Sequence, residues 1–167
     1  TSYVASKFWI LPEGMDASNM SVTVTLTQNG KKMEGSEYTK TITGNGMVKF
    51  EDLDKYDENG TLYVYGAVEA QDSSYQQAKP STGDDYTITF YNTVAQEKLT
   101  ASGTKSWNDG GDVDNRPASI EVTLLANGEP TEHTAIVTAA DDWTYSFTGL
   151  DRYEFTYDEQ TDIIIGV

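Results

Sequence analysis

The chain has 167 residues, 37% of them hydrophobic, with five Phe, eleven Tyr, three Trp and no cysteine. A net charge of −16 argues against nucleic acid, whose phosphates demand a basic surface, and the lack of thiols excludes both a disulfide framework and a thiolate metal site. No apolar run approaches the roughly 20 residues of a membrane-spanning helix, and no leader is recognisable, so the sequence reads as a mature chain or a fragment.

Helical periodicity is missing, and short alternating runs rich in Thr, Val, Tyr and Ile follow one another from the start. In chain order the expected strands are Tyr3–Trp9, Ser21–Leu26, Tyr38–Ile42, Met47–Phe50, Leu62–Glu69 and Tyr86–Tyr91. They continue with Leu99–Trp107, Ile120–Leu124, Thr134–Val137, Trp143–Phe147 and Asp162–Val167. Turn signals punctuate them at Asn29-Gly30, Gly44-Asn45-Gly46, Asn59-Gly60, Asn108-Asp109-Gly110-Gly111 and Asn127-Gly128. Ser81-Thr82-Gly83, after Lys79-Pro80, reads as a loop, and no Leu-Pro-x-Thr-Gly sorting signal is present.

The two halves repeat. Lys7-Phe8-Trp9 returns as Lys105-Ser106-Trp107, and Val24-Thr25-Leu26 with Asn29-Gly30 returns as Val122-Thr123-Leu124 with Asn127-Gly128, both at an offset of 98 residues. Phe50-x-x-Leu53-Asp54-Lys55-Tyr56 returns as Phe147-x-x-Leu150-Asp151-Arg152-Tyr153 at an offset of 97. That period is too long for a solenoid and suits two tandem all-β sandwiches. They are placed at residues 1–95 and 96–167, with the boundary near Val94–Gln96. The end at Ile165-Gly166-Val167 aligns with Gly66-Ala67-Val68, so the second sandwich is expected to be incomplete, its counterparts of Glu69 and Asn92 lying further on.

The order of these motifs resembles the B-type domain of the Gram-positive collagen adhesin, the Cna B-type fold. The resemblance is carried by Lys-x-Trp, then Val-Thr-Leu leading to Asn-Gly, Phe-x-x-Leu-Asp-x-Tyr, Tyr65-Gly66-Ala67-Val68-Glu69 and Tyr91-Asn92-Thr93. The second half adds Ser102-Gly103-Thr104-Lys105-Ser106-Trp107-Asn108-Asp109 and Arg116-Pro117. It implies immunoglobulin-like sandwiches of reversed strand order that build stalks and pilin shafts on cell surfaces. It also implies an intramolecular Lys–Asn amide bond assisted by an acid. Carried over, the bond joins Lys7 to Asn92 with Glu69 assisting, and Lys105 is the candidate nucleophile of the second domain.

The chemistry asks for such residues. A lysine is protonated at neutral pH and has no lone pair until burial lowers its pKa. Lys7 and Trp9 share one strand face by parity, so a core-facing Trp9 brings Lys7 inside. A carboxamide is a poor electrophile. A buried, protonated Glu69 is expected to donate to the Asn92 carbonyl and pass a proton to departing ammonia. The fold makes the reaction intramolecular. The bond forms once per molecule, so the protein is not read as a turnover enzyme. It would also supply the staple that a small, cysteine-free exported domain needs.

The leading function is a structural stalk or spacer of an extracellular, cell-wall-anchored surface protein, with neighbouring domains of the same protein as its partners. Two alternatives stand beside it. One is a module that binds a host protein or glycan. The other is a split domain that takes up a complementing strand and captures it through Lys105. No cofactor is expected. The acidic loop around Asp109, Asp112 and Asp114 carries oxygen ligands of the kind calcium prefers, yet it lacks EF-hand register and reads as a solvated turn. His133, the single histidine, has no nucleophilic or metal-binding company in the sequence and is expected on an exposed strand.

Overall fold

In a computed structural model, residues 1–83 and 86–167 are described, and they form two compact units. The first comprises Thr1–Gln96 together with Tyr153–Val167, the second Glu97–Arg152.

The first unit opens with β1 (Tyr3–Ile10), whose burial alternates so that Tyr3, Ala5, Lys7 and Trp9 point inward. It continues with β2 (Ser21–Gln28), β3 (Lys31–Lys32), β4 (Thr39–Thr43), β5 (Gly46–Phe50), β6 (Tyr65–Glu69), β7 (Tyr75–Gln77), β8 (Ser81–Thr82) and β9 (Thr87–Val94). One sheet runs β5-β1-β9-β7, with β8 also on β9, and the β1–β9 ladder is parallel. In the other sheet β2 pairs with β3, β4 and β6. Tyr3, Ala5, Trp9, Phe50, Ile88 and Phe90 of the first sheet meet Val22, Val24, Leu26, Ile42 and Ala67 of the second in one buried cluster. A single core between two sheets is a β-sandwich.

A turn side chain holds the end of the site-bearing strand. The β1–β5 ladder ends at Lys7 opposite Gly46, and beyond it the Trp9 backbone N–H donates to Asn45 Oδ1 at 2.7 Å. A turn side chain thus takes over where the ladder stops, because a buried N–H left unpaired is costly. An Asn45→Ala protein is expected to lose about 1–2 kcal/mol of stability, read as a lower urea midpoint at unchanged slope. At the other end of the sandwich Asn29 and Gly30 take φ of 50° and 78°, the two positive values of the tight turn that joins β2 to β3.

The second unit holds β10 (Lys98–Thr104), β11 (Ser119–Ala126), β12 (Glu129–Thr138) and β13 (Thr144–Asp151), paired as β10–β13 and β11–β12. Its β11–β12 hairpin turns on Asn127 and Gly128 at φ of 51° and 84°, the same turn as in the first unit. β14 (Thr156–Tyr157) and β15 (Ile164–Gly166) pair with each other and belong to the first unit. There Gln96 Nε2 donates to the Tyr153 carbonyl at 2.8 Å, and the Tyr153 N–H donates back to Gln96 Oε1 at 3.0 Å.

Several expectations change. Ser81-Thr82 is not a loop but a two-residue strand against Thr89 and Ile88. β6 begins at Tyr65 rather than Leu62, because Leu62 bridges to Tyr56 and the Tyr63 N–H donates to the Lys55 carbonyl, which spends these residues on a local turn. β10 ends at Thr104, so Lys105 and Trp107 lie just past a strand instead of on it. Asp162 and Ile163 precede the three-residue β15. His133 sits exposed on β12.

Candidate functional site

Lys7, Glu69 and Asn92 come together inside the first sandwich. Parity along β1 turns Lys7 inward, and the residue is only 2% exposed. The parallel register sets Lys7 opposite Phe90 and Asn92 opposite Trp9, so Asn92 lies two residues further along the neighbouring strand. A four-carbon lysine stem spans that diagonal. Glu69 arrives from the facing sheet, at the end of β6 opposite Val24 of β2.

The carboxyl group of Glu69 divides its two oxygens between the other residues. Oε2 stands 3.3 Å from Lys7 Nζ, with both side chains almost fully buried. Oε1 accepts a hydrogen bond from Asn92 Nδ2 at 2.6 Å and another from Gln77 Nε2 at 3.0 Å. The expected hydrogen bond ran from Glu69 to the Asn92 carbonyl. Instead the carboxyl is the acceptor and faces the amide nitrogen, because it also faces an amine and holds its oxygens toward two donors.

Aromatic rings enclose the amine. Lys7 Nζ lies 4.7 Å from the Trp9 ring centroid, and Tyr75 meets Trp9 edge-on at 5.0 Å. Burial pushes the Lys7 amine down from 10.5 to about 8, against the opposing pull of the Glu69 charge and hydrogen bond. Burial, followed by the nearby Glu69 charge, pushes the Tyr75 phenol up to about 12. A cavity of about 220 Å³ adjoins the group, and Glu69, Gln77 and Asn92 contribute to its lining beside Ala67, Pro80 and Phe90. The arrangement places a depressed-pKa amine and a carboxamide on two sides of one carboxyl. That is an arrangement for acyl transfer from nitrogen to nitrogen.

The family model for the Cna protein B-type domain matches residues 4–93 and 101–162. The chain belongs to that family. Two B-type copies follow one another, and the first match encloses all three site residues. The collagen adhesin of Staphylococcus aureus is 32% identical over 171 residues, covering 98% of this chain and 14% of that protein. The chain therefore spans only about a seventh of that relative. Among solved structures, a single B repeat unit (B1) of the collagen binding surface protein of Staphylococcus aureus is 30% identical with a TM-score of 0.43, over 98% of this chain and 81% of that one. A two-repeat unit (B1B2) of the same protein is 29% identical with a TM-score of 0.43, over 98% and 41%.

In the second B-type copy Lys105 keeps one feature of its counterpart. Its Nζ lies 4.7 Å from the Trp107 centroid, the distance found between Lys7 and Trp9. Trp107 packs edge-on against Trp143 at 5.0 Å, and the Lys105 N–H donates to the Trp143 carbonyl. The environment differs, for Lys105 is exposed where Lys7 is buried. The acidic loop beside it is organised by an ion pair. Asp109 accepts from Arg116 Nε at 2.6 Å and Nη2 at 3.1 Å, and those hydrogen bonds draw its carboxyl down to about 2. Asp112 accepts from Asn115, and Asp114 sits in the short 3-10 turn Val113–Asn115. Among the described residues no three acidic, His or Cys side chains converge on a metal position.

Sequence reading missed Gln77 and Tyr75. Both lie on a three-residue strand with no period to detect, and only the β7–β9 register, which sets Gln77 opposite Asn92, brings them to the site.

Proposed function

We propose that this B-type pair is a stalk or spacer segment of a bacterial cell-surface protein whose first domain locks itself with an amide bond between Lys7 and Asn92. The observation that carries the proposal is the buried contact set, Lys7 Nζ at 3.3 Å and Asn92 Nδ2 at 2.6 Å from the two oxygens of Glu69. Residues 1–95 and 96–167 are read from the repeat as the two successive modules, although Tyr153–Val167 clusters with the first unit, and neighbouring domains of the same protein are their proposed partners. The reading is supported by the 32% identity to a protein named a collagen adhesin.

The steps balance without any outside reagent. The neutral Lys7 amine adds to Cγ of Asn92, and the Glu69 carboxylate takes the proton that Nζ releases as the new bond forms. The same carboxyl then gives that proton to Nδ2 as the Cγ–Nδ2 bond breaks, and ammonia leaves. The cavity beside Asn92 gives it room. No electron is transferred, and Glu69 returns to its starting state. Burial supplies the free amine, and the fold supplies the alignment that an amide-forming reaction in water lacks.

Intact-mass measurement tests this directly. The expected mass is one ammonia short of the sequence value, with a single peptide pair joined through Lys7 and Asn92 after digestion. A full mass in the native protein overturns the cross-link.

A further inference from the structure

We propose that Gln77 is a positioning residue for the cross-linking step, an inference that rests on the Lys7–Asn92 reading above: its side-chain amide clamps Glu69 Oε1 against the leaving nitrogen of Asn92. The terminal torsion of a glutamate is broad and roughly two-fold, so the carboxyl plane is poorly fixed by the chain alone. Only a narrow range of that torsion sets one oxygen at the amine and the other at the amide.

Gln77 narrows it. Its Nε2 donates to Glu69 Oε1 at 3.0 Å and to the Ala70 carbonyl at 2.9 Å, so one amide group bridges the acid to the backbone of the next residue. Its own carbonyl accepts from Gln71 Nε2 at 2.7 Å, which orients the amide from the opposite end. Its strand position is fixed by pairing with Asn92, the residue that reacts. The clamp is therefore anchored beside both partners of the bond-breaking step, through Ala70 just past the end of β6 and through the ladder to β9.

The oxygens of the carboxyl are left unequal. Oε1 receives two N–H donors, from Asn92 and Gln77, while among the described residues no amide donor reaches Oε2, which faces Lys7 Nζ at 3.3 Å. The oxygen facing the amine is the freer acceptor, as the proton transfer requires. When ammonia leaves, Oε1 loses the Asn92 nitrogen but keeps the Gln77 donor, so the buried acid is not stranded.

The test follows cross-linking in the full 167-residue chain made by cell-free synthesis, with samples quenched in acid and weighed intact over time. The wild type is expected to lose one ammonia, and Gln77→Met, which keeps the length but has no amide, to lose it roughly 10- to 100-fold more slowly. Gln77→Glu separates positioning from packing. At neutral pH it cannot donate and is expected to be slow, but once protonated its acid can donate to Oε1. Its rate relative to wild type should climb as pH falls, whereas a purely structural defect leaves that ratio flat. A wild-type rate in Gln77→Met, or a flat ratio for Gln77→Glu, overturns the role of Gln77 and leaves the cross-link standing. A wild type that retains its full mass overturns both.

Discussion

A Glu69→Gln protein is expected to retain its full mass and to lose about 4–5 kcal/mol of first-domain stability. The substitution keeps the shape of the side chain and its contact with Gln77 while removing the carboxylate proposed to take a proton from Lys7 and return it to the leaving nitrogen. The proposed cross-link would close a loop from residue 7 to residue 92, almost the whole domain, and its stabilisation would act mainly through the unfolded chain. Urea unfolding of the two proteins gives a second signature. The un-cross-linked variant should show a steeper slope as well as a lower midpoint, because its unfolded state is freed to expose more surface. A Glu69→Gln chain that loses ammonia at the wild-type rate would remove Glu69 from the mechanism.

The second expected result concerns pH. In Asn92→Ala the electrophile is gone and Lys7 stays an amine, buried and held near 8 in the folded state against 10.5 when exposed. Between those values the unfolded chain binds more protons than the native one, so stability rises with pH. The burial cost is fully present below about pH 8 and is relieved as pH climbs toward 10.5. The difference corresponds to about 3 kcal/mol. In a cross-linked wild type the amide nitrogen would not titrate, and this slope is expected to be absent. Tyr75, whose phenol is raised to about 12, works in the opposite direction above pH 10 in both proteins. Denaturant midpoints compared from pH 7 to pH 10 therefore isolate Lys7. Parallel profiles for the two proteins would show that Lys7 is not the group whose titration differs.

The sequence made the inward face of β1 legible, since Trp9 sets the parity and Lys7 follows it. It also displayed the repeat, because Asn29-Gly30 and Asn127-Gly128 need positive φ at both turns and so keep their residue types. The contacts of the site were less accessible. Which way the Asn92 amide turns depends on a carboxyl crossing from the other sheet, and no spacing along the chain encodes that. β7 and β8, of three and two residues, exist only because β9 offers them a ladder edge. Gln77 therefore had no local signal, and Lys105 sits past the end of β10 for reasons that a shared Lys-x-Trp motif does not reveal.

The parallel pairing of β1 with β9 has a consequence for extension. A chain that enters along one strand and leaves along its parallel neighbour would, when drawn from both ends, tend to slide those strands past each other and unravel everything between. Were Lys7 joined to Asn92 as proposed, the 84 residues from 8 to 91 would be removed from the line of tension. Unravelled, they would add roughly 280 Å to the contour of the molecule. On the proposed reading, a tether built from such modules would keep its reach under load and behave as a strut of fixed length, so what it holds at its tip would stay at a set distance from the surface.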